Sequence, residues 1–277
     1  MKWIALITAA LVTRAAVAQG FSNSGPSNGG SGPYLANYST DSTLTGHTLF
    51  APKQIPDGLK LPVLVWGEGG CQANGTMFLS LLNEIASYGI FIIASGDPGG
   101  TGQTTSKMMT DAINWVSQNA GKGKYVNVDA TRIAAAGQSC GGLEAYDMKD
   151  DARISALGIF NSGQMTEAAS KQIASTITKP IFFFLGGSSD IAYANGERDY
   201  KLLPTDTPSW KGNLPVGHSG TYMETDAGKF GVAAVRFLQW TLGGNVTAAE
   251  YFTGPSATTD GWSVESKNLN KIKVTSL

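Results

Sequence analysis

An α/β fold with a mostly parallel, twisted sheet covered by helices on both faces is predicted by three features of this 277-residue chain. Short runs rich in Val, Ile and Phe alternate with helix-length amphipathic segments, the pattern of strands buried on both faces. Hydrophobic residues make up 42% of the chain, enough to fill one sizeable core. The run Gly137-Gln138-Ser139-Cys140-Gly141-Gly142 joins an apolar stretch to a helical one, so strand, sharp turn and helix meet at one point.

In chain order, Lys2, the apolar stretch 3–12 and Ala16-Val17-Ala18 match the charged, apolar and cleavage regions of a secretory signal over 1–18. The mature chain is expected to begin near Gln19 and to be secreted. About ten apolar residues interrupted before Arg14 are too few to cross a bilayer, and no later segment is long and apolar enough. Residues 19–33, rich in Gly, Ser, Asn and Pro, read as a flexible leader. One domain is expected over 34–277, a monomer with no large lid.

Strands are expected at 61–65, 90–94, 132–136, 156–160, 181–185 and 213–216. Helices are expected at 76–88, 105–118, 140–148, 166–175, 192–202 and 227–242. His47 falls in an N-terminal edge strand, and 261–264 reads as another edge. Only about twenty residues separate the strand ending at Phe160 from the next, which leaves room for one helix and an open cleft.

Loss of Lys2 and Arg14 with the signal takes the formal charge from −1 to −3, so there is no basic footprint for nucleic acid. No metal cluster or nucleotide fingerprint appears, and the loop Gly67-Glu68-Gly69-Gly70-Cys71 lacks the Lys-Ser/Thr of a phosphate cradle. No cofactor is implied. Asn37, Asn74 and Asn245 head N-x-S/T sequons that a secreted glycoprotein would carry on its surface.

A serine hydroxyl attacks a carbonyl only when a base takes its proton and an acid fixes that base. The chain holds two histidines, His47 and His218. His218 lies in the glycine-flanked loop Pro215-Val216-Gly217-His218-Ser219-Gly220, after the nucleophile candidate Ser139. Between them, Asp190 follows the strongest strand signal, Ile181-Phe182-Phe183-Phe184-Leu185, through a glycine turn. Asp199, Asp147, Asp150 and Asp151 sit in helical or surface-like segments. Ser139, Asp190 and His218 therefore follow the chain order of an α/β-hydrolase triad.

The chain resembles the dienelactone-hydrolase and cutinase-type polyester-hydrolase branch of the α/β-hydrolase superfamily over about residues 60–242. The residues that carry the likeness are Leu64-Val65-Trp66-Gly67-Glu68-Gly69-Gly70, Glu84-Ile85-Ala86-Ser87-Tyr88-Gly89-Ile90, the turn at Ser139, Lys179-Pro180-Ile181-Phe182 with Asp190, Gly217-His218 and Gly228-Lys229-Phe230-Gly231. The resemblance implies a nucleophile at Ser139, a base at His218 and an acid at Asp190. It also implies oxyanion donors at the backbone N–H groups of Cys140 and Cys71. The chain departs from the branch at Gly163, where polyester hydrolases place tryptophan, at Glu68, where many relatives carry histidine, and in lacking a C-terminal disulfide.

If Cys71 and Cys140 are both oxyanion donors, their Cα atoms lie within disulfide reach, and a secretory route supplies the oxidising conditions. The alternative is two reduced, buried cysteines acting as small apolar residues. The activity these readings imply is a secreted serine esterase acting on small or polymeric carboxylic esters. Lactone or acyl-transfer chemistry, or a non-catalytic binding protein that keeps the fold, are the other readings.

Overall fold

The structure, a computed structural model, describes residues 28–274. The signal and most of the leader therefore lie outside the described residues.

The described residues form eleven strands: β1 Ala36–Ser39, β2 His47–Pro52, β3 Leu61–Gly67, β4 Gln72–Ala73, β5 Phe91–Ser95, β6 Gly102–Gln103, β7 Val128–Gln138, β8 Ile154–Phe160, β9 Ile181–Leu185, β10 Ser209–Asn213 and β11 Ser263–Lys267. Nine of them form one sheet in the order β1-β2-β5-β3-β7-β8-β9-β10-β11, and β4 pairs with β6 in a small ribbon. From β5 to β10 every pairing in the main sheet is parallel, while β1, β2 and β11 run antiparallel at the two edges. This is the mostly parallel sheet expected, and its architecture is compatible with an α/β-hydrolase.

Among the described residues eight helices surround it: α1 Leu79–Ser87, α2 Ser106–Asn119, α3 Cys140–Tyr146, α4 Glu167–Ile173, α5 Tyr193–Leu202, α6 Gly228–Thr241, α7 Val246–Thr253 and α8 Ser256–Thr259. Because successive strand residues point to opposite faces, the apolar runs feed two separate cores. Leu64, Trp66, Phe182 and Phe184 pack with α1, α6 and α7 on one face. Leu61, Val63, Val65, Ile181 and Phe183 pack with α2, α3 and α5 on the other. Phe182 alone meets Phe237, Phe252 and Trp240 at ring-centre distances of 4.7, 5.0 and 5.8 Å. Burial of each such side chain stabilises the fold by about 1.5–3 kcal/mol.

Two expectations are corrected. The last β-strand of the parallel run is residues 209–213 rather than 213–216. Lys211 concealed it, since a lysine inside a strand reads as solvent-facing. Here its buried ammonium pairs with Glu197 and Glu265 at 2.7 and 2.6 Å. The end of the leader expected to be flexible is instead bound to α1. Ser31 N and Oγ donate to Glu84 at 2.6 and 2.8 Å, and Gly32 N donates to Ser87 Oγ at 2.9 Å. The tail after Leu242 also forms α7 and α8, with Tyr251 and Phe252 buried and Asn245 capping α7 through Ala248 N.

Between β8 and β9 stand only α4 and a short 3-10 turn, so no large lid is present among the described residues. No helix there is long and apolar enough to cross a membrane.

Candidate active site

β7 ends at Gln138 and α3 begins at Cys140, leaving Ser139 alone on the bend with φ 53° and ψ −112°. A serine accepts this left-handed backbone only under tertiary constraint. The constraint is the crossing of α3 over the ends of β3 and β7. A methyl group at Gly141 would lie 2.0 Å from the carbonyl oxygen of Gly67, and one at Gly137 would lie 2.3 Å from Gly141. Only glycines permit that approach. Ser139 N donates to Phe160 O at 2.9 Å, and Ser162 Oγ donates to Ser139 O at 2.6 Å, which anchors the bend to β8 and the residues after it.

His218 reaches the same point from the loop after β10. Its Nε2 lies 3.0 Å from Ser139 Oγ, and its Nδ1 lies 2.6 Å from Asp190 Oδ1. A carboxylate can only accept, so Nδ1 carries the proton and Nε2 is left as the acceptor for the serine hydroxyl. Asp190 is buried beyond β9. Its Oδ1 also accepts from Ala192 N at 2.9 Å, while Oδ2 accepts from Gly186 N at 3.0 Å and from Asn161 Nδ2 at 2.8 Å. Burial alone would push this carboxyl up, but the donors from His218, Ala192, Asn161 and Gly186 outweigh it and hold Asp190 below the usual carboxylate range.

The structure thus brings together the three residues expected from sequence. His47 is not among them: it is buried in β2, three strands along the sheet from β7, with its ring nitrogens against the carbonyls of Thr45 and Met108 at 3.1 and 2.9 Å. The competing acids are engaged elsewhere. Asp199 accepts from Tyr146 Oη and Gln164 N at 2.7 and 2.6 Å, and Asp151 pairs with Arg153 at 2.5 Å.

Cys71 and Cys140 form a disulfide with their Cα atoms 5.2 Å apart. Cys140 is the first residue of α3, a position whose backbone N–H has no acceptor within the helix. Cys71 ends a 3-10 turn after β3 with φ 55°, another non-glycine residue in left-handed backbone. The bridge therefore ties the two loops where an oxyanion would be expected to sit. Beneath them Glu68 is fully buried. Desolvation first, with Glu144 nearby adding repulsion, holds its carboxyl well above the usual range.

Sequence reasoning missed three residues at the site. Gln138 Nε2 donates to His218 O at 3.2 Å, joining the residue before Ser139 to the His218 loop. Asn161 holds Asp190, and the hydroxyl of Tyr222 donates to Asn161 Oδ1. A signal existed for Asn161, because asparagine directly after a strand tolerates positive φ; none existed for Tyr222, whose role is set by packing.

The three sequon asparagines are placed on β1, on the loop after β4 and at the head of α7. Asn37 is exposed. Asn74 Oδ1 accepts from Thr76 N, Thr76 Oγ1 and Gly99 N at 3.2, 3.0 and 3.1 Å. Among the described residues no group of three or more His, Cys, Asp or Glu could hold a metal ion. No protein-family model matches the chain, and no curated protein matches it.

Proposed function

We propose that this protein is a secreted serine hydrolase that cleaves carboxylic esters through an acyl-enzyme. The observation that carries the reading is the unbroken hydrogen-bonded line from Ser139 Oγ through the His218 ring to Asp190, set on a strained bend. His218 Nε2 takes the proton as Ser139 Oγ attacks the ester carbonyl, and the same proton then passes to the leaving alcohol. Water, deprotonated by His218, releases the acid and restores the serine. Asp190 keeps the ring in the tautomer that accepts and stabilises the imidazolium formed in each transition state.

Negative charge developing on the carbonyl oxygen would be met by the N–H groups of Cys71 and Cys140, held apart at a fixed spacing by the disulfide. Within the α/β-hydrolases, the motifs of this chain resemble those of the cutinase-type branch. Gly163 separates this chain from it. A methyl group there would fall 2.4 Å from the backbone of Asn195, so α5 occupies the space a tryptophan would need. Short-acyl and aryl esters suit such a site better than a polymer stacked on an aromatic platform. Export and sugar at Asn37, Asn74 and Asn245 belong to the same reading.

The test is labelling with a fluorophosphonate beside hydrolysis of p-nitrophenyl acetate. Wild-type protein should label at Ser139 and turn over, and Ser139→Ala should lose labelling and at least about four orders of magnitude in kcat. Folded wild-type protein that neither labels nor hydrolyses any of a panel of acetyl, aryl, lactone and polyester substrates would end the proposal.

A further inference from the structure

Asn161 follows β8 directly and is fully buried, with φ 42°. Its backbone N donates to Phe184 O at 2.8 Å, which continues the parallel ladder toward β9. Its side chain faces two acceptors, Asp190 Oδ2 at 2.8 Å and Gly217 O at 3.2 Å. Both lack a proton to give, so the NH2 end of the amide must point at them. The Oδ1 end then accepts from the Tyr222 hydroxyl. The Tyr222 ring is wedged edge-on against Phe78 and Phe230 at 5.0 and 5.1 Å, so its hydroxyl has little freedom. Burial and the nearby Asp190 charge keep that phenol protonated, hence a donor.

We infer that Asn161 and Tyr222 are a positioning pair that sets the orientation and basicity of Asp190 and ties the His218 loop to the end of β8. This rests on the proposed triad, since the pair touches no substrate and acts only through Asp190 and Gly217. Without Asn161, Oδ2 keeps a single donor, Gly186 N. The carboxylate is then freer to turn, and with one donor fewer it is held less far below the usual carboxylate range. Donor chains of this kind polarise one another, so the Tyr222 hydroxyl strengthens the bond that Asn161 makes to Asp190.

The experiment uses Tyr222→Phe, Asn161→Gly and the double variant, assayed on p-nitrophenyl acetate across pH. Phenylalanine keeps the ring packing, and glycine accepts the backbone of residue 161 without strain. Tyr222→Phe should lower kcat about 3- to 10-fold, as expected for one neutral hydrogen bond. Asn161→Gly should lower kcat about 10- to 100-fold, as for one to a charged group. In both, KM should stay within about twofold, because neither residue meets the ester. The acidic limb of the kcat/KM profile should move to higher pH. The double variant should equal Asn161→Gly, since Tyr222 acts through Asn161.

Unchanged kcat, additive losses in the double variant, or lower kcat with an unmoved acidic limb would overturn the pair. A folded wild type that neither labels nor hydrolyses overturns the triad itself, whereas active wild type with unaffected variants overturns only this inference.

Discussion

The two halves of the site are built by different means. On the β3 and β7 side, backbone and covalent bonds place the reactive atoms: glycines at 67, 137 and 141 let α3 cross in contact, Ser139 and Cys71 sit in left-handed backbone, and Cys71–Cys140 joins the loops. On the β8, β9 and β10 side, side-chain hydrogen bonds do the placing, through Asn161, Asp190, His218 and Tyr222. The first half is rigid because there is no room for alternatives. The second is held by polar contacts that titration or substitution can loosen. Their buried carboxyls show the same contrast: Glu68 is held well above the usual range by desolvation, Asp190 below it by its donors.

Breaking the steric half should have the largest effect. Gly141→Ala forces a methyl group into the Gly67 carbonyl, a backbone contact that no rotamer relieves. It should cost more than about 4 kcal/mol and abolish fluorophosphonate labelling, as read from thermal melting and gel fluorescence. A well-folded, labelling variant would show that the crossing is looser than described.

Next in size is the covalent tie. It spans a sequence separation of 69 residues, so reduction should cost about 4 kcal/mol in the chain-entropy model. With the protein kept folded at low temperature, kcat should fall more than KM rises, because the proposed oxyanion donors would act on the transition state. Equal kcat for oxidised and verified reduced protein would reduce the bridge to a structural staple.

The smallest effect separates the two carboxyls by pH. Asp190 is depressed in the folded state, so its contribution to stability is complete above about pH 4 and fades as the pH falls below that. Glu68 is raised, so its contribution has the opposite sign: complete below about pH 4, it is lost as the pH rises and the unfolded chain ionises first. Glu68→Gln should therefore melt higher than wild type by about 2–4 °C at pH 8, with the gain shrinking toward pH 5. Differential scanning calorimetry at both pH values reads it, and a pH-independent difference would mean that Glu68 is charged in the fold.

Much of this was legible in the chain. The runs 61–65, 132–136, 156–160 and 181–185 declared themselves as strands because burial on both faces demands uninterrupted apolar residues. The bend at Ser139 was legible because steric crowding leaves glycine as the only solution, and that solution is written in adjacent residues. His218 was found because the chain holds only two histidines, and Asp190 because it follows the strongest strand signal through a glycine turn. What was hidden depends on distant pairing. Lys211 obscured β10 since its partners Glu197 and Glu265 come from other elements. Ser31 and Gly32 read as linker because their acceptors lie on α1, more than fifty residues on.

By itself, then, the sequence determined the parallel α/β architecture, the strained serine and the order of its companions, since these follow from local periodicity and sterics. Only the tertiary structure decided that Asn161 and Tyr222 stand behind Asp190 and that Glu68 is buried at the glycine loop, while the pairing of Cys71 with Cys140 was already expected and is present. Hydrogen bonds, desolvation and disulfides depend on distances of a few ångströms between residues far apart in the chain, and the fold alone sets those distances.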